Sequence, residues 1–211
     1  MYQLPLDKNL YLTRLHNDCY NVGVMIKQLL RNKQSQTVFT VSDIALYLDK
    51  EVDSNLVSNI HYYVRKGELI QLSKGLYALD MDYNKFELGN KVRRPSYLSF
   101  YTVLQLNGVI FQPYDTIFYA SNRSEVVNMD QQQFKYRKLK DEILLNSLGI
   151  EGLNQYSIAS VERALCDKLY LDGIEYFDNL SKIDWEFVGK LIDQVYKSDK
   201  MKLIVKKLKD A

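Results

Sequence analysis

Proline and glycine are scarce in this chain, with 3 and 9 residues among 211. That scarcity excludes collagen-like, linker-rich and many-turned β architectures. Two cysteines, Cys19 and Cys166, are too few for a disulfide framework and sit in no Cys-x-x-Cys or Cys/His cluster, so both are expected as small buried hydrophobes. No apolar run approaches the ~18 residues that a membrane-spanning helix needs, the longest being core-sized stretches such as 22–26 and 109–111. The first residues lack a basic segment followed by an apolar one, so no secretory signal is expected. The chain reads as cytoplasmic, without a membrane partner. Charge of one sign is also missing: 28 Lys and Arg face 26 Asp and Glu, leaving +2. Taken over the whole chain, that balance argues against a dedicated nucleic-acid binder.

What is present is apolar material, 46% of residues, enough to bury a core, and a length that fits one large or two small domains. Tyrosine is abundant, with 17 copies, and suits half-buried positions whose hydroxyl finds a partner. The spacing of Val22, Ile26, Leu29 and Leu30 predicts a helix over 20–31. A short β-like run follows at 38–41. Ser42 is expected to cap a second helix over 43–48, with Asp43 favouring its dipole. Asp53 or Ser54 caps a third helix, which runs to Lys66 and stops at Gly67. Leu69–Leu72 and Leu76–Leu79 then flank Ser73-Lys74-Gly75 as a β-hairpin. Helix, strand, helix, turn, helix and hairpin in this order predict a winged helix-turn-helix.

The fold class expected overall is therefore α+β: a DNA-binding winged helix over 1–83, a linker over 84–94 and a mixed α/β domain over 95–211. In the second domain, Ser96 is expected to cap a helix through Leu106. Strands are expected near 109–111, 116–120, 126–127 and 134–139. Ser160 is expected to cap a helix over 161–171, Asp184 one over 185–196, and a last basic helix covers 201–208.

The third helix carries the functional signal. Leu56, Ile60 and Val64, with Val57, make its apolar stripe, and the opposite face presents Asn55, Ser58, Asn59, Tyr62, Arg65 and Lys66 beside Ser54. Short donors and acceptors at the N-terminal half and cations at the C-terminal end suit a helix reading base edges while meeting phosphates. Lys74 at the hairpin tip is placed for the flanking backbone, and Ser42 offers helix N-terminal amides to a phosphate. Lys91, Arg93 and Arg94 are candidates to extend this basic surface.

Two stretches resemble a known family. One is Val64-Arg65-Lys66-Gly67-Glu68-Leu69-Ile70, continuing to Gly75-Leu76-Tyr77. The other pairs Arg94-Pro95-Ser96-Tyr97-Leu98-Ser99 with Glu162-Arg163-Ala164-Leu165-Cys166-Asp167-Lys168-Leu169. In that order they are similar to the AbiEi antitoxins of type IV toxin–antitoxin systems. The resemblance implies an antitoxin whose winged helix binds double-stranded DNA at its own promoter as a repressor. It also implies a second domain counteracting a partner nucleotidyltransferase toxin in phage defence. By the same carry-over, Arg65, Lys66 and Lys74 match the basic positions of the recognition helix and wing, while 54–62 is less basic than in many relatives. A stand-alone winged-helix transcriptional regulator and a protein-interaction module stay open as alternatives.

The remaining constellations are read structurally. Arg163 and Asp167 form an i, i+4 pair and Glu162 suits a helix first turn, which points to a structural or interface cluster rather than to catalysis. Asp80-Met81-Asp82 reads as a solvated turn. His16 and His61 lack ligand spacing, and no phosphate-loop, nucleophile-elbow or zinc-protease motif occurs, so no enzyme, metal or cofactor is expected. The lysines of 197–209 read as the solvated face of an amphipathic helix with Met201, Leu203, Ile204 and Leu208 on its other side, or as an extra contact for an anionic partner.

Overall fold

The computed structural model describes residues 23–153 and 155–209. The positions expected to matter at Cys19, His16 and the start of the first helix lie outside these residues. The chain divides into two compact units between Tyr83 and Asn84, and both helix and strand occur in each, so the protein is α+β.

In the first unit, helix α1 covers residues 23–32 and buries Met25 and Leu29, whereas Leu30 faces solvent. Strand β1 (Val38–Thr40) runs into helix α2 (Val41–Tyr47). The cap of α2 is Thr40, not Ser42: the Thr40 hydroxyl accepts from the Asp43 amide at 3.0 Å, and the Asp43 carboxylate accepts from the Thr40 amide at 2.8 Å. This reciprocal box satisfies two donors at once, which a Ser42 cap with no acid three residues on cannot do. Helix α3 (Ser54–Lys66) starts at Asp53, whose carboxylate accepts from Leu56 N at 2.7 Å, and ends at Gly67 in the left-handed region, φ 72°.

Strands β2 (Ile70–Ser73) and β3 (Leu76–Ala78) form the hairpin, and β1 pairs with β3, giving a three-stranded antiparallel sheet in the order β1-β3-β2. The turn holds two residues, Lys74 and Gly75, because Ser73 pairs with Leu76 after an irregularity between Gln71 and Ser73. Gly75, at φ 78°, supplies the conformation the turn requires. Leu29, Phe39, Ile44, Leu56, Ile60, Tyr63, Leu69 and Tyr77 build the core.

The second unit opens with helix α4 (Lys85–Val92), where a linker was expected. Asn84 caps it, its side chain accepting from the amides of Phe86 and Glu87. A polar composition hid a helix whose Glu87, Leu88, Gly89 and Asn90 are all buried. Strand β4 (Ser96–Leu98) replaces the start of the expected Ser96 helix, which begins instead as α5 (Phe100–Leu106). Strands β5 (Ile117–Ser121), β6 (Glu125–Met129) and β7 (Gln132–Lys138) follow, and Asp130 and Gln131, both at positive φ, close the β6–β7 hairpin. Helix α6 (Asp141–Leu144) and strands β8 (Ile150–Gly152) and β9 (Ser157–Ala159) lead to α7 (Val161–Asp172), capped by the Ser160 hydroxyl. Helix α8 (Trp185–Leu191), a π-helical segment (Ile192–Tyr196) and α9 (Asp199–Lys209) complete the unit.

Residues 109–111 are not a strand. The Val109 carbonyl accepts from the amides of Asp178 and Asn179 and so joins a loop.

The six strands form one mixed sheet, β6-β7-β5-β4-β9-β8. All five residues of β5 are buried, which requires cover on both faces. Alternation along β5 assigns that cover. Tyr119 meets α4, its hydroxyl donating to the Phe86 carbonyl at 2.8 Å, while Phe118 packs edge-on against Tyr101 of α5. Helix α4 comes close enough to the sheet that a Cβ on Gly89 would lie 2.5 Å from the Tyr119 hydroxyl oxygen and 2.7 Å from a Phe134 ring carbon. Gly89→Ala is expected to destabilise the protein by about 1–3 kcal/mol through overpacking, read as a lowered urea midpoint, and an unchanged midpoint would show that α4 is free to move off the sheet.

Candidate nucleic-acid interface

Helix α3 places Leu56, Ile60 and Tyr63 in the core. The inward stripe was expected to include Val64, but Tyr63 takes that place and Val64 is only half-buried. Asn55, Ser58 and Arg65 are exposed and Tyr62 half-buried, at i, i+3, i+7 and i+10, so the helix keeps one polar face outward. Asn59 is half-buried at its flank, and Ser54 and Lys66 are exposed at its ends. The Asn55 amide donates to the capping carboxylate of Asp53 at 3.4 Å. Tyr62 stacks edge-on against Tyr63, and the Lys66 ammonium lies 4.8 Å from the Tyr62 ring centroid. Arg65 makes no ion pair with any described residue, and neither does Lys74 at the hairpin turn. Ser42 is exposed as the second residue of α2.

The basic surface is smaller than expected. Lys91 is tied to Glu87 at 3.0 Å with its side chain only 5% exposed, and Arg93 makes a two-pronged salt bridge to Glu125. Both belong to the packing of the second unit. Arg94 remains exposed.

Tyr63 is 1% exposed and its hydroxyl finds no hydrogen-bond partner among the described residues. Burial pushes that hydroxyl up to about 12, with Glu68 adding to the shift. A raised acid holds its proton in the folded state, so its contribution is complete below the unfolded value near 10 and is lost as pH rises towards 12.

Glu162, Arg163 and Asp167, expected as a structural or interface cluster, lie inside the second unit. Arg163 and Asp167 are fully buried and Glu162 is 9% exposed. Asp167 accepts from the hydroxyls of Ser99 at 2.7 Å, Tyr97 at 2.9 Å and Tyr196 at 2.5 Å, and from Arg163 Nε at 3.4 Å. The Arg163 guanidinium donates to the carbonyls of Ile143 at 2.6 Å and Leu148 at 2.8 Å, and to the Tyr97 hydroxyl. Glu162 accepts from the Asp184 amide at the start of α8. Burial pushes the Asp167 carboxyl up, and Arg163 with the three hydroxyls pulls against that shift. Burial likewise pushes up the thiol of the neighbouring Cys166. Each polar group here is spent on the protein itself, so the cluster is structural. The residues missed were Tyr97, Ser99 and Tyr196. The first two stand in the Arg94–Ser99 stretch of the family resemblance; Tyr196 had no local signal, because a π-helical segment turns it inward.

Asp80 accepts from Lys33 at 2.5 Å and from the Asp82 amide, and the Lys33 hydrogen bond holds its carboxyl below the ordinary range. His61 is exposed on α3. No group of three or more His, Cys, Asp or Glu is disposed for a metal among the described residues, and no helix among them is long and apolar enough to cross a membrane.

No protein-family model and no curated protein matches the chain.

Two outcomes test these assignments. Asp167→Ala, which leaves a buried guanidinium without its carboxylate, is expected to cost about 3–5 kcal/mol in urea unfolding, against a few tenths for a surface pair. Tyr63→Phe is expected to raise stability by up to about 1 kcal/mol at neutral pH, since it removes an unpartnered buried hydroxyl. It should also blunt the loss of stability between pH 10 and 12.

Proposed function

We propose that this protein is a DNA-binding transcriptional autorepressor whose first unit is a winged helix-turn-helix, and that it acts as an antitoxin against a partner nucleotidyltransferase toxin. The observation that carries the DNA reading is the outward face of α3, where Asn55, Ser58 and Tyr62 lead to the ion-pair-free Arg65. An α3 fixed at both ends by Asp53 and Gly67, next to a hairpin with a cation at its turn, supports the same reading. In this reading α3 enters the major groove, Asn55 and Ser58 meet base edges, and Arg65, Lys66 and Lys74 meet phosphates. Ser42, Ser54 and Asn59 flank the contact.

The antitoxin half rests on the AbiEi resemblance, and the geometry adds one supporting fact. The two separated stretches that carry the resemblance in the second unit meet through Tyr97, Ser99, Arg163 and Asp167. They are one packing unit, which is what a shared fold would keep. A stand-alone regulator would need the same first unit and a different partner for the second.

A gel shift on the promoter of its own gene is expected to show binding at low salt that weakens as salt rises. Arg65→Ala with Lys74→Ala should weaken binding to all sequences and flatten the slope of log affinity against log salt by about 2 units. An unchanged slope would remove these residues from the phosphates, and absence of binding at low salt would sink the DNA reading. Co-expression with a neighbouring nucleotidyltransferase should relieve that protein's toxicity; no relief would leave the regulator alone.

A further inference from the structure

A cleft of about 400 Å³ opens between α8, the π-helical segment and α9, a size in the range of small-molecule sites. One wall is Trp185, the single tryptophan of the chain. One turn further along α8, Gly189 leaves the flank of that indole open: a Cβ there would meet nothing within 4 Å. Ile192 and Val205 give an apolar floor. Helix α9 brings cations to the cleft, with Lys202, Lys206 and Lys209 at i, i+4 and i+7 on one of its faces.

These three lysines are not equivalent. Lys202 is tied to Asp193 at 2.9 Å and lies 3.8 Å from Asp199. Lys209 is held by the indole, its ammonium 5.2 Å from the Trp185 ring, and neither it nor Lys206 pairs with a carboxylate among the described residues. An aromatic face positions a cation without neutralising it. The cleft thus combines a flat apolar wall with two ammonium groups that pair with no carboxylate among the described residues. A second feature converges here: Ile192 and Asp193 come from the π-helical segment, an uncommon geometry that recurs at functional sites.

We propose that this cleft binds a nucleoside phosphate, the base lying against Trp185 in the space beside Gly189 and the phosphate oxygens meeting Lys206 and Lys209. The nucleotide is either free or the exposed unit of a single strand, since both present the same ring and charge. The proposal is independent of the α3 reading, because α3 carries neither tryptophan nor any residue of the cleft.

The single tryptophan makes the test local. The full chain is titrated with ATP, and separately with a short single-stranded oligonucleotide, while Trp185 fluorescence is followed. Saturable quenching by ATP is expected, with a Kd in the range of about 0.01–1 mM, displaced by inorganic pyrophosphate. Lys206→Ala with Lys209→Ala should weaken it by about tenfold or more, whereas Lys207→Ala, an exposed lysine outside the cleft, should not. Gly189→Leu should fill the cleft and abolish the response while circular dichroism stays unchanged. Tighter quenching by the oligonucleotide assigns the nucleotide to a strand. The proposal is overturned by no saturable response to either ligand, by an equal response in the double variant, or by poly-glutamate binding where ATP does not.

Discussion

One fully buried ion pair, Arg163 with Asp167, organises the second unit. Removing two charges from water costs several kcal/mol for each ion, and the mutual attraction offsets this only when the remaining donors and acceptors are satisfied. Here they are, and by residues that come from far apart in the chain. Asp167 gathers hydroxyls from β4, from the residue after it and from the π-helical segment; Arg163 gathers carbonyls from the end of α6 and the loop beyond it. One turn of α7 therefore sets where the central strand, the connection after α6 and the last helices lie. The Ser99 hydroxyl is consumed in this task, so α5 begins without a side-chain cap. Phe100, fully buried, is held in the left-handed region at φ 54°. A bulky residue there persists only where packing over-determines it.

The two units use polar residues in opposite ways. In the second, Lys91, Arg93, Arg137 and Lys168 are drawn into ion pairs. Lys168, 2% exposed, sits between Asp172 and Glu175, and Arg137 with Lys168 holds the Asp172 carboxyl down to about 2. In the first, Asn55, Ser58 and Arg65 of α3 stay exposed, and Arg65 makes no ion pair with a described residue. The first unit carries as many acidic as basic residues, and some of the acids serve as caps and turn partners: Asp43 in the box with Thr40, Asp53 ahead of α3, Asp80 on Lys33. Asp49, Glu51 and Glu68 stay exposed beside these caps, so the cations of α3 and the hairpin turn stand among uncommitted acids.

Local chemistry made the helices of the first unit legible. Asp53, Gly67 and the Lys74-Gly75 turn act within three or four residues, so their effect is written beside them. Ser160 and Asp184 were legible as caps for the same reason. Strands β4, β8 and β9 were not, since three residues show no alternation and, unlike β1 and β3, no apolar run or hairpin turn marks them. Helix α4 was hidden because Glu87 and Asn90 look like solvated residues, and only their partners, Lys91 and the Ser96 carbonyl, let them be buried. The cleft of α8 and α9 was half-visible: the lysine periodicity stood in the chain, but its convergence with Trp185 did not. On α9, Val205 turned inward and Leu203 outward, a difference of register that neighbouring packing decides.

Taken by itself, the order of residues determined the α+β class, the third helix with its polar face, and the hairpin after it. These depend on caps, turns and periodicity, which act over a few residues. Tertiary structure alone decided what the charges do. Arg163 and Asp167 read only as an i, i+4 pair in a structural or interface cluster, and Lys91 and Arg93 as a basic patch, until partners distant in sequence enclosed them. Whether a charge meets water or a buried carboxylate is set by which chain segments pack around it, and spacing along one helix carries no record of that.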